Sequence, residues 1–416
     1  TGDRITCRDW FQLCLKEGLT VFRDQEFSSD MRSRAVKRIS DARLLRSQQF
    51  PEDGGPLAHP VRPEQYKEIN NFYTATVYEK GAEVIRMLKT LIGGDAFARG
   101  MDLYFSRHDG EAATIEQFIA CFAEASGRDL EPFMVWYREA GTPIVTVEEI
   151  WDEASRRFTL TLTQETPATP GQQTKKPRVI PVRFGLVGPD GGDMQPSGIA
   201  GAEVNGDTLI LTQPSHTVTF EGLSSRPVPS LFRGFSAPVK VRQSLSSADL
   251  IFLLANDTDS FNRWQAGTTL AMTALVKATQ QVRAGQAPSF ELAPIDALGA
   301  LLDDPALDAA FKALLIAVPS ENDVAREVAE NVDPDAVATA HHAYRRTIAD
   351  RLGARLKAIV EADGAAAGQP YVPDAAGAGR RSLANTALDL LSITGSHETM
   401  ALVRRRLSIE GQVEGA

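Results

Sequence analysis

Cysteine is scarce: the 416 residues include only Cys7, Cys14 and Cys121, too few for a disulfide framework, so the fold has to rest on packed cores. We read that scarcity as the mark of a reducing compartment. No run of about 18 apolar residues occurs, which excludes a membrane-spanning helix. Lysine and arginine form no extended run and are outnumbered by Asp and Glu, 44 to 54. The resulting net charge of -10 argues against nucleic acid and anionic membranes as partners. An initiating methionine and a signal peptide are absent too. Thr1-Gly2-Asp3-Arg4 leads straight into a helical pattern, and we read that start as lying inside a larger protein. What remains, 43% apolar and 24% charged residues, is the composition of a globular protein of two or three domains.

The stretch around which the chain is organised is Cys7 to Asp24, CRDWFQLCLKEGLTVFRD. Trp10, Leu13, Cys14, Glu17 and Val21 share one helical face, and Phe11, Leu15, Gly18 and Phe22 form a second apolar stripe. A helix apolar on most sides packs inside a domain, which places the Glu17 carboxylate among core residues. Unpaired, it would be strongly destabilising there. Three compensations are open: an ion pair with an arginine or lysine, protonation, or a metal ion, with Asp24 further along the same face to orient a ligand.

The first 140 or so residues read as helices with long connections. Ser28 to Arg46 is arginine-rich and helical, and Gln49 to Arg62 reads as a Pro/Gly loop whose His59 is an ordinary polar residue before it is a ligand. Asn70 to Gly94 carries the strongest helical pattern, with Tyr78 and Glu79 near its start and Gly93-Gly94 as its stop. Tyr78 either packs in the core or donates a hydrogen bond into a cleft. Asp95 caps the next helix, Thr114-Ile115-Glu116-Gln117 is a capping box, and Leu130 to Ala140 is a further helix.

At Gly141-Thr142-Pro143 the period changes from helical to alternating. Short β-rich runs at 144–147, 157–162, 180–186, 208–211 and 216–220, separated by Pro/Gly/Asp clusters, predict a small sandwich in which His216 belongs to a strand face. Beyond Val239 the chain is Ala/Leu-rich and helical, with capping boxes at Ser246 and Ser320 and a long helix from Pro334. Stacked helical pairs of the α-solenoid kind are expected, without a fixed repeat period. His341 and His342 are adjacent and cannot chelate one metal together, and Gly364 to Gly379 reads as a mobile loop. No clear terminal element follows Leu407.

The segments TCRDWFQLCLKEGLTVFRDQEFSSD, NNFYTATVYEKGAEVIRML, YFSRHDG, WYREAGTPIVTV and PVPSLFRGFSAPVKV, in this order, closely resemble the bacterial aminopeptidase N branch of the zinc-dependent gluzincin aminopeptidases. The resemblance covers residues 1 to about 245 and continues more weakly beyond. It implies a multidomain α+β architecture: the helical half of a thermolysin-like catalytic domain (1–142), a β-sandwich (143–242) and a superhelical C-terminal domain, truncated (243–416). It implies a cytoplasmic, monomeric metallo-aminopeptidase that releases N-terminal residues from peptides with a free N-terminus, using one Zn2+ per intact catalytic domain and a zinc-activated water.

Residue by residue, Lys16-Glu17-Gly18-Leu19 matches the stretch that supplies the third zinc ligand, so Glu17 would be that ligand. Tyr78, in Val-Tyr-Glu-Lys-Gly, would stabilise the oxyanion, and Tyr73 and Asn70 would line the substrate pocket. The family's HExxH motif, with two histidine ligands and the base, has no counterpart among His59, His108, His216, His341, His342 and His397. By family spacing it would end about three residues before Thr1. The segment that captures the substrate amine and an N-terminal β domain are missing as well. The chain by itself is therefore expected to hold no zinc and to be inactive. The competing expectation is a non-catalytic helical scaffold or a degenerate, inactive relative.

Overall fold

A computed structural model describes residues 2–365 and 374–413. The chain divides into two compact units, the first formed by Thr1–Asp30 and Lys37–Ser244, the second by Met31–Val36 and Leu245–Ala416.

In the first unit Thr6–Cys7 (β1) is followed by Asp9, which accepts the Phe11 N–H at 3.0 Å and so caps a 3-10 turn, Trp10–Gln12. The chain then runs as α1, Leu13–Met31. Leu15, Gly18, Leu19, Phe22, Gln25 and Ser29 form its buried arc. The sequence pattern places Glu17 in the core; the structure puts it at the edge of that arc, with a side chain 12% exposed, and leaves Trp10 40% exposed. The reason is that α1 buries itself through Gly18, and Glu17 lies one residue, about 100°, round the helix from that contact line.

Arg34–Leu44 (α2) continues without a break through a π-helical turn, Leu45–Gln49, into α3, Phe50–Asp53. The loop expected from Gln49 therefore begins only after Asp53, with Pro51 taken up in α3. The single helix expected over Asn70–Gly94 is also divided. Ile69–Phe72 is a 3-10 turn, the backbone leaves helical geometry at Tyr73 (φ -86°, ψ 75°), and a second π-helical turn, Thr76–Lys80, leads into α4, Gly81–Ile92. Gly93, at φ 83°, stops α4 as expected.

Gly94–His108 (α5) leads to Ala112–Ala113 (β2), which pairs in parallel with β1. The Thr114 capping box opens α6, Ile115–Ser126. The helix expected over Leu130–Ala140 is reduced to a 3-10 turn and Val135–Arg138 (α7), because the backbone is already extended at Glu139.

All five runs read as strands are strands: β3, Ile144–Asp152; β4, Arg157–Glu165; β5, Ile180–Val187; β8, Thr208–Leu211; and β9, Ser215–Glu221. Four shorter ones join them: β6, Gly198–Ala200; β7, Glu203–Asn205; β10, Val228–Leu231; and β11, Lys240–Gln243. One sheet has the order β11-β3-β4-β9-β6 and the other β10-β5-β8-β7. His216 opposes Leu162 in the register, and its Nε2 accepts the N–H groups of Thr212 and Gln213 at 3.0 and 3.1 Å, a turn-holding role.

Helical half and sandwich share one continuous core running from Ile5 to Val239. Trp136 of α7 donates from Nε1 to the Val179 carbonyl at 2.8 Å, and the buried Arg178 guanidinium lies 4.7 Å from its ring centre. The FRGFSAP stretch after β10 is held in the same way. Phe232 and Phe235 take left-handed backbone angles, φ 56° and 55°, and Arg38 donates from Nε to the Gly234 carbonyl and from Nη2 to that of Phe235, while Nη1 and Nη2 grip Glu83 at 2.6 Å each.

The second unit contains α8, Ser247–Asn256; α9, Ser260–Arg283; α10, Ala293–Asp303; α11, Ala309–Ile316; α12, Glu321–Val328; α13, Pro334–Ala365; α14, Ala375–Ser392; and α15, His397–Val413. Ser246 and Ser320 cap α8 and α12 as expected. The long α13 packs against α9, α10, α12 and α14. Of the expected Ala/Gly loop, residues 366–373 lie outside the described residues, while α13 takes in Gly364 and α14, capped by Asp374, starts at Ala375. The tail expected to lack an element after Leu407 is helical to Val413.

Candidate active site

Two glycines bring the candidate residues together. A methyl group at Gly18 would stand 2.8 Å from the Gly81 carbonyl carbon, and one at Gly81 would stand 3.3 Å from the Gly18 Cα. Only because neither residue carries a side chain do α1 and the start of α4 touch backbone to backbone. Glu17 precedes the first glycine and Tyr78 lies three residues before the second. The close crossing therefore delivers a carboxylate and a phenol to one place.

They meet there. The Tyr78 phenol lies near enough to the Glu17 carboxylate to feel its charge, and burial together with that charge pushes the phenol up to about 12, so it keeps its proton across the neutral range. Lys16 pairs with the same carboxylate at 2.6 Å. Of the compensations open in the sequence, the structure shows an ion pair, made by the neighbouring residue and at a half-buried position.

Tyr78 owes its direction to the π-helical turn. The Gly81 N–H reaches back five residues to the Thr76 carbonyl, so the turn holds one residue more than an α-helical turn. Each extra residue rotates the preceding side chains by about 100° relative to those after the turn. Val77 and Lys80 thereby point inward together with the core face of α4, while Tyr78 turns to Glu17.

Beneath the turn lies a buried polar network that sequence reading missed. Lys80 Nζ donates to Asp53 Oδ2 at 2.6 Å and to the Gly141 carbonyl at 3.1 Å. Asp53 accepts the Gly141 N–H at 2.7 Å and the Thr142 hydroxyl at 2.9 Å. Burial works against the Asp53 charge, but the Lys80 ammonium and these donors outweigh it and hold the carboxyl at about 2. Burial likewise draws Lys80 down, to about 8, with the Asp53 carboxylate opposing. The signal that could have found the network is the Glu52-Asp53 pair directly after Phe-Pro, a helix-start pattern masked by the glycines behind it.

Tyr73 is 51% exposed, with its ring centre 6.2 Å from that of Tyr78 and 6.5 Å from that of Trp10. Asn70 is exposed and donates its amide to Glu68 at 2.8 Å. Asp24 is exposed. His59 points Nδ1 at the Pro60 carbonyl, 2.8 Å away, and His341 faces Glu321 at 3.7 Å in the second unit.

Comparison with known proteins gives three successive matches along the chain. Residues 1–137 match the peptidase family M1 domain. The chain carries a peptidase family M1 domain match. Behind the M1 match, residues 141–244 match a domain of unknown function, DUF3458, with an Ig-like fold, and 247–409 match its companion domain of ARM repeats. The chain is 51% identical to aminopeptidase N of Caulobacter vibrioides over 96% of its own length and 45% of that protein. It is 44% identical to aminopeptidase N of Escherichia coli over 98% of its length and 46% of that protein. A crystal structure of Legionella pneumophila aminopeptidase A in complex with aspartic acid superposes with a TM-score of 0.79 at 27% identity, covering 95% of this chain and 43% of the other. The chain thus spans about half the length of the curated relatives it matches.

Family M1 is in general zinc-dependent. In this chain the Glu17 carboxylate offers one oxygen donor of the right kind. Among the described residues no group of three or more His, Cys, Asp and Glu side chains could hold a metal ion. The fit is to one ligand of a zinc site, not to a whole one.

Proposed function

We propose that this chain is the part of a zinc metallo-aminopeptidase that supplies its third metal ligand, Glu17, and its oxyanion donor, Tyr78. The observation that carries this reading is the meeting of the two side chains across the Gly18–Gly81 contact. Zinc, when bound, would supply Lewis acidity and lower the pKa of water. The two histidine ligands and the general base come from polypeptide outside these 416 residues, since no HExxH lies within them.

The chain's own residues do the rest. Glu17 would hold the metal, and the protonated Tyr78 hydroxyl would donate to the oxygen that gains charge as the scissile carbonyl is attacked. Tyr73, half-exposed beside Tyr78, and Asn70 on the preceding turn contact the peptide. The substrates are peptides with a free N-terminus, and the enzyme is a cytoplasmic monomer.

The test is Tyr78→Phe in the full-length, zinc-loaded protein. Removing one oxyanion donor is expected to lower kcat on an alanyl reporter by about 100- to 1,000-fold while KM and zinc content hold. A wild-type kcat in that variant contradicts the role of Tyr78.

A further inference from the structure

The π-helical turn that carries Tyr78 is gripped at both ends by consecutive residues of α3. At its N-terminal end Glu52 Oε1 accepts both the Thr76 N–H, at 2.8 Å, and the Thr76 hydroxyl, at 2.5 Å. Gln49 Nε2 donates to the same hydroxyl at 3.2 Å. At its C-terminal end Lys80 is paired with Asp53. Thr76, Gln49, Asp53 and Lys80 are all buried to within 1% exposure. Tyr78 sits midway between the two grips, joined to them through the backbone of the turn.

We propose that Glu52 and Thr76 are positioning residues for Tyr78: their hydrogen bonds hold the widened turn open, so that the phenol faces the Glu17 carboxylate rather than rotating away. The physical basis is the cost of the turn. A π turn is a rare, strained interruption of an α-helix, and without an external partner for the Thr76 N–H and hydroxyl the segment gains by relaxing to α-helical spacing. Relaxation by one residue swings Tyr78 through about 100°. Glu52 is the acceptor that opposes it, because a carboxylate oxygen taking two hydrogen bonds is among the stronger acceptors available. Lys80 and Asp53 anchor the far end to the Gly141-Thr142 junction, so that any slack appears at the Thr76 end. This inference rests on the proposed role of Tyr78, and its test separates the two.

Four proteins are compared, each full-length and zinc-loaded: wild type, Glu52→Met, Tyr78→Phe and the double variant. Misplacing the phenol by a fraction of its swing is expected to lower kcat in Glu52→Met by about 10- to 100-fold, with KM, zinc content and melting temperature little changed. Glu52→Gln keeps an acceptor oxygen and is expected to restore kcat to within about threefold of wild type. In the Tyr78→Phe background Glu52→Met should cost less than about twofold, since there is no hydroxyl left to position. Where Tyr78→Phe itself lowers kcat, equal losses in both backgrounds, or wild-type kcat in Glu52→Met, overturn the proposal. If Glu52→Met fails to fold, Thr76→Val, which deletes the hydroxyl at equal volume, is carried through the same cycle, with Thr76→Ser as its rescue. A crystal structure of Glu52→Met provides the independent readout. A rotated Tyr78 ring supports the clamp even if Tyr78→Phe proves fully active and the catalytic role falls; an unmoved ring overturns the clamp whatever the kinetics.

Discussion

Lys80 and Asp53 form the most deeply buried ion pair of the first unit: an ammonium and a carboxylate with 1% and 0% side-chain exposure have each other, a few backbone and hydroxyl groups and the nearby charges of Arg178 and Lys175 in place of water. Replacing Lys80 by Met leaves a buried carboxylate unpaired and is expected to destabilise the protein by about 3–5 kcal/mol at pH 7, read from the shift in urea midpoint. The pH dependence comes from the direction of the Asp53 shift. Its carboxyl lies at about 2 in the fold against an ordinary 3.8, so its contribution is complete above pH 4 or so and is lost as pH falls towards 2. The gap between wild type and Lys80→Met should therefore narrow in acid; a gap that stays constant down to pH 2 contradicts the pairing. In the sequence, Glu17 stands out as a carboxylate on an apolar helix, whereas Tyr78 is singled out by the resemblance of its Val-Tyr-Glu-Lys-Gly motif and not by a local anomaly. Glu52 and Asp53 were not legible there, because Pro51 and Gly54-Gly55 made their surroundings look like loop, and Lys80 was not, because its partner lies 27 residues away in that stretch.

Helix geometry decides what those residues can do together. Gly18→Ala puts a methyl carbon 2.8 Å from the Gly81 backbone, an overlap that no side-chain rotation relieves, so α1 and α4 have to part. The expected cost is about 1–3 kcal/mol, with a fall in zinc affinity as Glu17 moves away from Tyr78. A variant as stable and as tight-binding as wild type would show that the glycine contact is incidental. The interruption at Tyr73 and the π turn escaped a periodicity argument for a definite reason. Val77, Ala82, Val84, Ile85, Met87 and Leu88 are buried on so many sides of this segment that an apolar pattern fits with or without one inserted residue. The strands were easier, since alternation over Arg157–Glu165 leaves no second register, whereas three- and four-residue strands such as β6 and β10 are too short to alternate visibly.

For the whole molecule, the shared core of helices and sandwich is the governing feature. The change of period at Gly141 marks a change of secondary structure, and Ala140, Gly141, Thr142 and Pro143 are buried in the junction. Limited proteolysis is accordingly expected to leave the 138–143 segment intact and to cut first near the exposed Ser244–Ser247 stretch. Early cleavage at 138–143 would mean that the helical half and the sandwich open independently. The measurement that bears most directly on the central reading is the zinc content of the full-length protein and its Glu17→Gln variant, by mass spectrometry after dialysis against a weak chelator. If Glu17 is a ligand, the parent retains about one zinc per chain and the variant, at least 10-fold weaker in affinity, loses it along with activity. If the variant holds zinc as the parent does, Glu17 serves only as the ion-pair partner of Lys16 and the proposed site fails at its central residue.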